Sequence, residues 1–334
     1  MNHVYIIAEA GVNHNGSVDL ALEMIDVAAA CGADAVKFQT FNSRKEISRH
    51  AEKAEYQKVT SGRDESLLEM ALKLELDEAA HHRLLAYCRE KDIKFLSSPF
   101  ESDSIRFLDE LGLDIIKIPS GQVDNLPYLR QVAALGKQVI FSTGMATLEE
   151  VTCALGVLMD GGTPRDRITV LHCTTAYPTP FEEVNLRAML TLRDRFGVRV
   201  GYSDHTPGIE ISVAAVAMGA EVIEKHFTLD KSFEGPDHQA SLDPDELRAM
   251  VQAIRNVERA LGDGIKRPTP GEIVNTHIAR RCIVAARRIR KGETLVAGAI
   301  TVKSPAHGLS PMRWDEVVGT AAIRDFDEDE PVEL

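Results

Sequence analysis

Residues 114–160, DIIKIPSGQVDNLPYLRQVAALGKQVIFSTGMATLEEVTCALGVLMD, contain two short apolar, β-rich runs, DIIKIPS and QVIFST, each followed by a longer stretch of helical period. Strand-length runs alternating with helix-length ones are the pattern of βα units around a parallel sheet. The helix candidate TLEEVTCALGVLMD begins at Thr147, with Glu150 three residues on in position for a capping box. Working outward, the same alternation yields VYIIAEA, AVKFQT and KFLSS before this stretch and ITVLHCT, RVGYSD and EVIEKHF after it. Ser17 is placed as the N-cap of SVDLALEMIDVAAA. Eight such units in about 260 residues fit a (β/α)8 barrel better than an open doubly wound sheet, and no glycine-rich dinucleotide or P-loop fingerprint follows a strand.

Residues 43–78 break the rhythm with many charges and the pieces AEKAEYQK and DESLLEMALKLEL. An insertion after the second strand falls at the face where barrel active sites are built, so a lid is expected there. After the last helix candidate, LRAMVQAIRNVERALG, the segment GDGIKRPTPGE has the composition of a linker. The expected division is a barrel over residues 1–262, a linker over 263–275 and a small, mostly β domain over 276–334, with RRCIVAA and AITVKS as its strand-like pieces.

Among 334 residues, 38 lysines and arginines against 51 acids give a net charge of -13. That balance disfavours nonspecific binding to nucleic acid or to anionic membranes, and an anionic substrate would need a local basic site. No apolar run reaches the ~20 residues of a membrane span, and MNHVYIIAEAG lacks a signal peptide's basic region, so a cytoplasmic location is expected. Cys31, Cys88, Cys153, Cys173 and Cys282 form no C-x-x-C pair and read as buried, reduced thiols.

In a barrel of this kind reactive groups gather at the C-terminal strand ends. Glu9 and Asn13 end strand 1, Lys37 and Gln39 strand 2, Ser97 and Ser98 strand 3, and Lys117, Ser120 and Gln122 strand 4. Ser142 and Thr143 end strand 5, Thr174, Thr175 and Tyr177 follow strand 6, Ser203, Asp204 and His205 end strand 7, and Lys225 and His226 end strand 8. One lysine there is usually solvated or salt-bridged. Two lysines with the hydroxyls of Ser98, Ser120, Ser142 and Ser203 read as a cradle for phosphate or carboxylate. His205 and His226, at the ends of adjacent strands with Glu9 and Asp237 nearby, favour a divalent metal over plain hydrogen bonding. EGPDH reads as a tight loop holding Asp237 over the mouth or, equally, as an ordinary βα turn, with His238 a loop residue. His172 reads as a core histidine, His81 and His82 as surface, and DFDEDE as a solvated face.

The segments EAGVNHNG, VKFQT, SSPF, KIPSG, STGM, HCTTAYPTP, GYSDHT, EKHFT and GPDH, in order and one per unit, resemble those of the bacterial sialic acid and N,N'-diacetyllegionaminate synthase family. RRCIVAARRIRKGETLVAGAITVKSPAHG is similar to that family's antifreeze-like, or SAF, module. The resemblance implies a (β/α)8 TIM barrel with a C-terminal SAF domain. It implies condensation of phosphoenolpyruvate with an N-acylated mannosamine-type aldose, with release of phosphate. It further implies phosphoenolpyruvate held by Lys37, Ser98, Lys117, Ser120, Ser142 and Ser203, and a divalent ion, Mn2+ with Mg2+ or Co2+ as alternatives, on His205 and His226. Glu9, Gln39, Tyr177 and Asp237 would serve the sugar and catalysis, and a domain-swapped homodimer is implied as well. Where members have an acidic residue after KIPSG, Gln122 stands and is expected among the catalytic residues, but an amide cannot act as a base, so that duty falls on Glu9, a metal-bound water or phosphate. Where many have Lys-Arg-Pro, whose arginine approaches the sugar's acylamino group, Lys303-Ser304-Pro305 stands, with His307 beyond it; Ser304 takes the sugar-binding position with a shorter reach. AEKAEYQ, KLELD and GVNHNG favour the diacetyllegionaminate branch over the N-acetylneuraminate branch, with pseudaminate third. Outside the family, a metal-dependent aldolase or a catalytically silent sugar-binding protein are the alternatives.

Overall fold

All eight expected strands form: β1 (Tyr5–Gly11), β2 (Ala35–Thr40), β3 (Lys94–Pro99), β4 (Ile115–Ile118), β5 (Gln138–Ser142), β6 (Ile168–Cys173), β7 (Arg199–Asp204) and β8 (Val222–His226). The structure, a computed structural model, describes residues 3–54, 57–58, 65–304 and 307–334. Parts of AEKAEYQK, the start of DESLLEMALKLEL, and Pro305 lie outside them. The sheet runs in the order β3-β2-β1-β8-β7-β6-β5-β4, its recorded ladders are parallel, and β3 lies alongside β4, so the sheet closes on itself. Helices cover its outside, among them Val18–Cys31, capped by Ser17, and Leu148–Asp160, where Thr147 and Glu150 complete the capping box.

Because side chains alternate along a strand, each strand sends every second residue into the barrel. One inner layer is apolar: Ile7, Ala35, Leu96, Ile140, Leu171 and Val222 pack together, with Ile115 against them. Gly201 belongs to this layer, and a Cβ there would fall 2.2 Å from the Val222 carbonyl oxygen, so the packing admits no side chain. The larger core lies between strands and helices and includes Ile6, Met24, Phe38, Leu84, Phe141, Tyr202 and Ile254.

The insertion after β2 contains the helices Ser43–Glu46 and Leu67–Leu74, the latter opened by a capping box between Ser66 and Glu69. Val12, Met70 and Leu74 form a small apolar cluster with Phe41 and Leu67. Gly16, at φ 73°, lets β1's loop approach this helix so closely that a Cβ would meet the Lys73 carbonyl oxygen at 2.2 Å.

The chain divides into Met1–Asp263 and Gly264–Leu334. In the second unit β9 (Cys282–Ala285) and β10 (Ile300–Lys303) pair antiparallel, and Ile283, Ile289, Leu295, Ile300, Val317, Phe326 and Val332 make a separate core. Ser304 follows β10 and is exposed. The expected linker is partly ordered: Thr269 and Glu272 cap the helix Pro270–Ala279. Two surface-versus-core expectations are corrected. His81 is fully buried, bonded to Thr40 and the Asp77 carbonyl, because its helix face turns inward; Cys153, on an outer helix, is exposed.

Candidate active site

Above the apolar layer each strand contributes one polar or reactive side chain: Glu9, Lys37, Ser98, Lys117, Ser142, Cys173, Ser203 and Glu224, in order from β1 to β8. They floor a cavity of about 320 Å³ whose upper walls include Gln39, Ser120, Tyr177, His205, His226 and Asp237, with Phe41, Leu67, Met70 and Leu74 on the side of the β2 insertion. Thus every expected cradle, sugar and metal residue on the barrel lines one pocket, apart from Gln122.

The floor is tied together by charge. Lys37 Nζ lies 2.7 Å from Glu9, donates to Ser98 Oγ at 3.1 Å and stands 3.7 Å from Glu224. Lys117 Nζ and Ser203 Oγ both reach Glu224 Oε1, each at 3.0 Å. Gln39 donates to Glu9 Oε1 at 3.3 Å. Ser142 Oγ is buried with no partner among the described residues, a donor left for something that enters. Ser120 meets the Cys173 thiol at 3.2 Å and accepts from the Gly144 N–H.

Burial and charge set the protonation states. Burial acts to raise Glu224, but Lys117 and Lys37 outweigh it and hold its carboxyl at about 2. Glu9 is pushed up to about 7, chiefly by burial and against the pull of Lys37. Burial alone carries Asp237 up to about 6. Burial works against the charge of both lysines; Glu224 and Glu9 outweigh it at Lys37, whereas at Lys117 it prevails and lowers the pKa. The floor therefore holds Lys37 charged and Glu224 as a fixed anion, weakens the hold of Lys117 on its proton, and leaves Glu9 free to gain or lose one near neutrality.

The two histidine rings lie 5.5 Å apart, with the Tyr177 ring 4.2 Å from His205. His205 Nδ1 bonds the Thr174 carbonyl at 2.7 Å, so that nitrogen carries the proton and Nε2 keeps a lone pair. His226 Nδ1 is buried without a hydrogen bond, its nearest acid being Asp237 at 3.9 Å. Burial lowers His205 to about 4, and burial with His205 and Lys37 nearby drives His226 well below its usual value, so both rings are neutral. Neutral imidazoles with an available lone pair fit a divalent cation. No group of three or more His, Cys, Asp or Glu converges on one point among the described residues, so His205 and His226 are the residues that would hold such an ion.

Several expectations are corrected. Gln122 turns away: it donates to the Phe100 carbonyl and accepts from Asn125, lining a neighbouring groove, because the turn Ser120–Gln122 carries it past the strand end. Asp204 and Lys225 lie on the outward register of β7 and β8, pair at 3.0 Å and are fully buried outside the pocket. Ser97 likewise faces out, bonded to Thr40. His238 is buried, bonded to Thr228 and Asn15, and anchors the loop that holds Asp237. Ser304 belongs to the second unit. Sequence reasoning missed Glu224 and Cys173. The signal for Glu224 was its place two residues before His226 on one strand, which puts both on one face.

A model of the NeuB family matches residues 24–266, and a SAF domain model matches residues 280–333. The chain is 53% identical to an N,N'-diacetyllegionaminic acid synthase of Campylobacter jejuni, over 99% of each chain. It is 44% identical to the enzyme of that name in Legionella pneumophila, over 95% of this chain and 89% of the other. The crystal structure of an N-acetylneuraminic acid synthetase from Leptospira borgpetersenii, in complex with citrate, superposes with a TM-score of 0.73 at 35% identity, covering 82% of this chain and 90% of that one.

Proposed function

The chain belongs to the NeuB family, and from that premise we propose that it condenses phosphoenolpyruvate with an N-acylated mannosamine-type aldose, forming a nonulosonic acid and releasing phosphate. The observation that carries this reading is the pocket floor, where two buried lysines, three serines and two acids stand in one layer, one to a strand. In this reading Lys37, Lys117, Ser98, Ser120, Ser142 and Ser203 receive the phosphate and carboxylate of phosphoenolpyruvate, and Ser142 supplies its unpartnered hydroxyl. The greater likeness to the two diacetyllegionaminic acid synthases favours 2,4-diacetamido-2,4,6-trideoxymannose as the aldose.

The carbon–carbon bond forms between C3 of phosphoenolpyruvate and the sugar's aldehyde carbon; water then adds at C2, and the tetrahedral intermediate expels phosphate. Glu9, with its carboxyl near neutrality and bridged to Lys37 and Gln39, takes and returns the protons of these steps at hydroxyl and water oxygens. Gln122, bonded elsewhere, has no part in them. Tyr177 and Asp237 orient the sugar from the upper wall. A divalent cation, Mn2+ by preference, would be held by His205 and His226 and would supply Lewis-acid polarisation of the aldehyde. The apolar side chains left exposed on the βα loops, Met145, Phe181 and Phe233, support covering of the mouth by a second copy in a homodimer.

The test is phosphate release from phosphoenolpyruvate by metal-stripped protein resupplied with Mn2+, in parallel with N-acetylmannosamine and the diacetamido-trideoxy sugar. Metal-dependent release with the latter alone is expected. Release with N-acetylmannosamine alone would move the protein to the other branch, and none with either sugar would reject the reading.

A further inference from the structure

Both candidate metal-binding histidines follow directly a residue of one buried ion pair. Asp204 precedes His205 at the end of β7, Lys225 precedes His226 at the end of β8, and the two are register partners between those strands. Alternation along the strand sends the histidines to the pocket and this pair to the opposite side of the barrel wall. There Asp204 and Lys225 are 0% exposed and 3.0 Å apart. Asp204 is saturated: one oxygen accepts from the Thr206 N–H at 2.9 Å and the Thr206 hydroxyl at 2.7 Å, the other from Ser212 at 2.6 Å. Lys225 donates onward to the Thr206 carbonyl, so the pair grips the backbone on the far side of His205 as well.

A buried ion pair is a poor source of stability, since apolar side chains of the same volume commonly serve as well, and its best-attested use is to fix register. We infer that Asp204 and Lys225 are positioning residues: their ion pair, bonded to Thr206, sets the separation of His205 and His226 and so makes a two-imidazole cation site. The pair is neutral overall, so it acts through geometry and not through the field in the pocket. This rests on the proposed metal role of the histidines.

The decisive protein is the double variant Asp204→Asn/Lys225→Met, which removes both charges together and leaves the net charge unchanged. Each single variant strands a buried charge and is expected to unfold at a clearly lower temperature. The double variant is expected to recover most of that loss and yet to bind Mn2+, titrated calorimetrically without substrates, about 10- to 100-fold more weakly than wild type. Its crystal structure should show the imidazoles displaced from their 5.5 Å ring separation. Thr206→Val keeps both charges but deletes one hydroxyl tie, and should weaken Mn2+ binding in the same direction by less. Wild-type Mn2+ affinity and ring spacing in the double variant, or in Thr206→Val should the double not fold, would overturn the inference. A wild-type protein that takes up no Mn2+, or a His205→Ala variant that binds it normally, would remove the metal reading; the ring spacing in the variant crystals would then decide the positioning role alone.

Discussion

Glu9 and Glu224 are both buried carboxylates beside Lys37, yet they sit at opposite ends of the carboxyl range. Glu224 is bonded by Lys117 and Ser203 and shares Lys37, whereas Glu9 has only Lys37 at close range and feels Glu224 as a like charge. The consequence for stability has a definite sign. Glu9 goes from 4.5 in the open chain to about 7 when folded, so between those values the folded state holds a proton that the unfolded state has released. Its contribution is complete below 4.5 and is lost as pH rises through 7. In phosphate-free buffer, the unfolding free energy of wild type relative to Glu9→Gln should therefore fall between pH 4.5 and about 7 and level off above; parallel profiles would contradict the raised carboxyl. At this scale the sequence was legible wherever a pocket-lining side chain stands at a strand end, as at Lys37, Ser98, Lys117, Ser203 and the two histidines. It was misleading where only register decides: Glu224 faces the pocket and Lys225, next to it, does not. Gln122 shows the other limit, since the side chain's direction is set by a short turn and by the Phe100 carbonyl, neither visible as a motif.

At the scale of elements, local signals were reliable because each has a local cause. The capping boxes are fixed by hydrogen bonds within four residues, and the one at Thr147 starts the helix that follows the Ser142 loop. Thr147→Ala removes the acceptor for the Glu150 N–H and should cost about 1 kcal/mol, read as a lower denaturation midpoint of the barrel transition with phosphate release unchanged; an unchanged midpoint would show the cap to be idle. The insertion after β2 was expected as a lid at the active-site face, and its Leu67, Met70 and Leu74 line one side of the pocket; the contact of Met70 and Leu74 with Val12 that holds them there joins segments far apart in sequence. The first part of the helix Pro270–Ala279, up to residue 275, was read as linker from the prolines and glycines around it, although Thr-Pro at its start is an N-cap followed by N1 proline.

For the whole molecule, the repeat of βα units was enough to fix the barrel, since eight parallel strands with outer helices have few ways to bury both faces. The second unit begins at Gly264, inside the glycine- and proline-rich segment GDGIKRPTPGE. No helix among the described residues is long and apolar enough to cross a membrane. Assembly is a matter for experiment: the exposed Met145, Phe181 and Phe233 around the barrel mouth, and Ile273, Val274 and Ile278 on the helix Pro270–Ala279, predict a homodimer. Sedimentation equilibrium should give twice the 36.7 kDa chain mass, and a monomer at micromolar concentration would refute it. The apolar ring of Ile7, Ala35, Leu96, Ile140, Leu171 and Val222 has a kinetic consequence. It closes the pocket at its bottom, so whatever occupies the lysine-lined depth must enter before anything that covers it near the rim. Under the proposed reaction that shape would impose an order, the three-carbon acid first in and the aldose second.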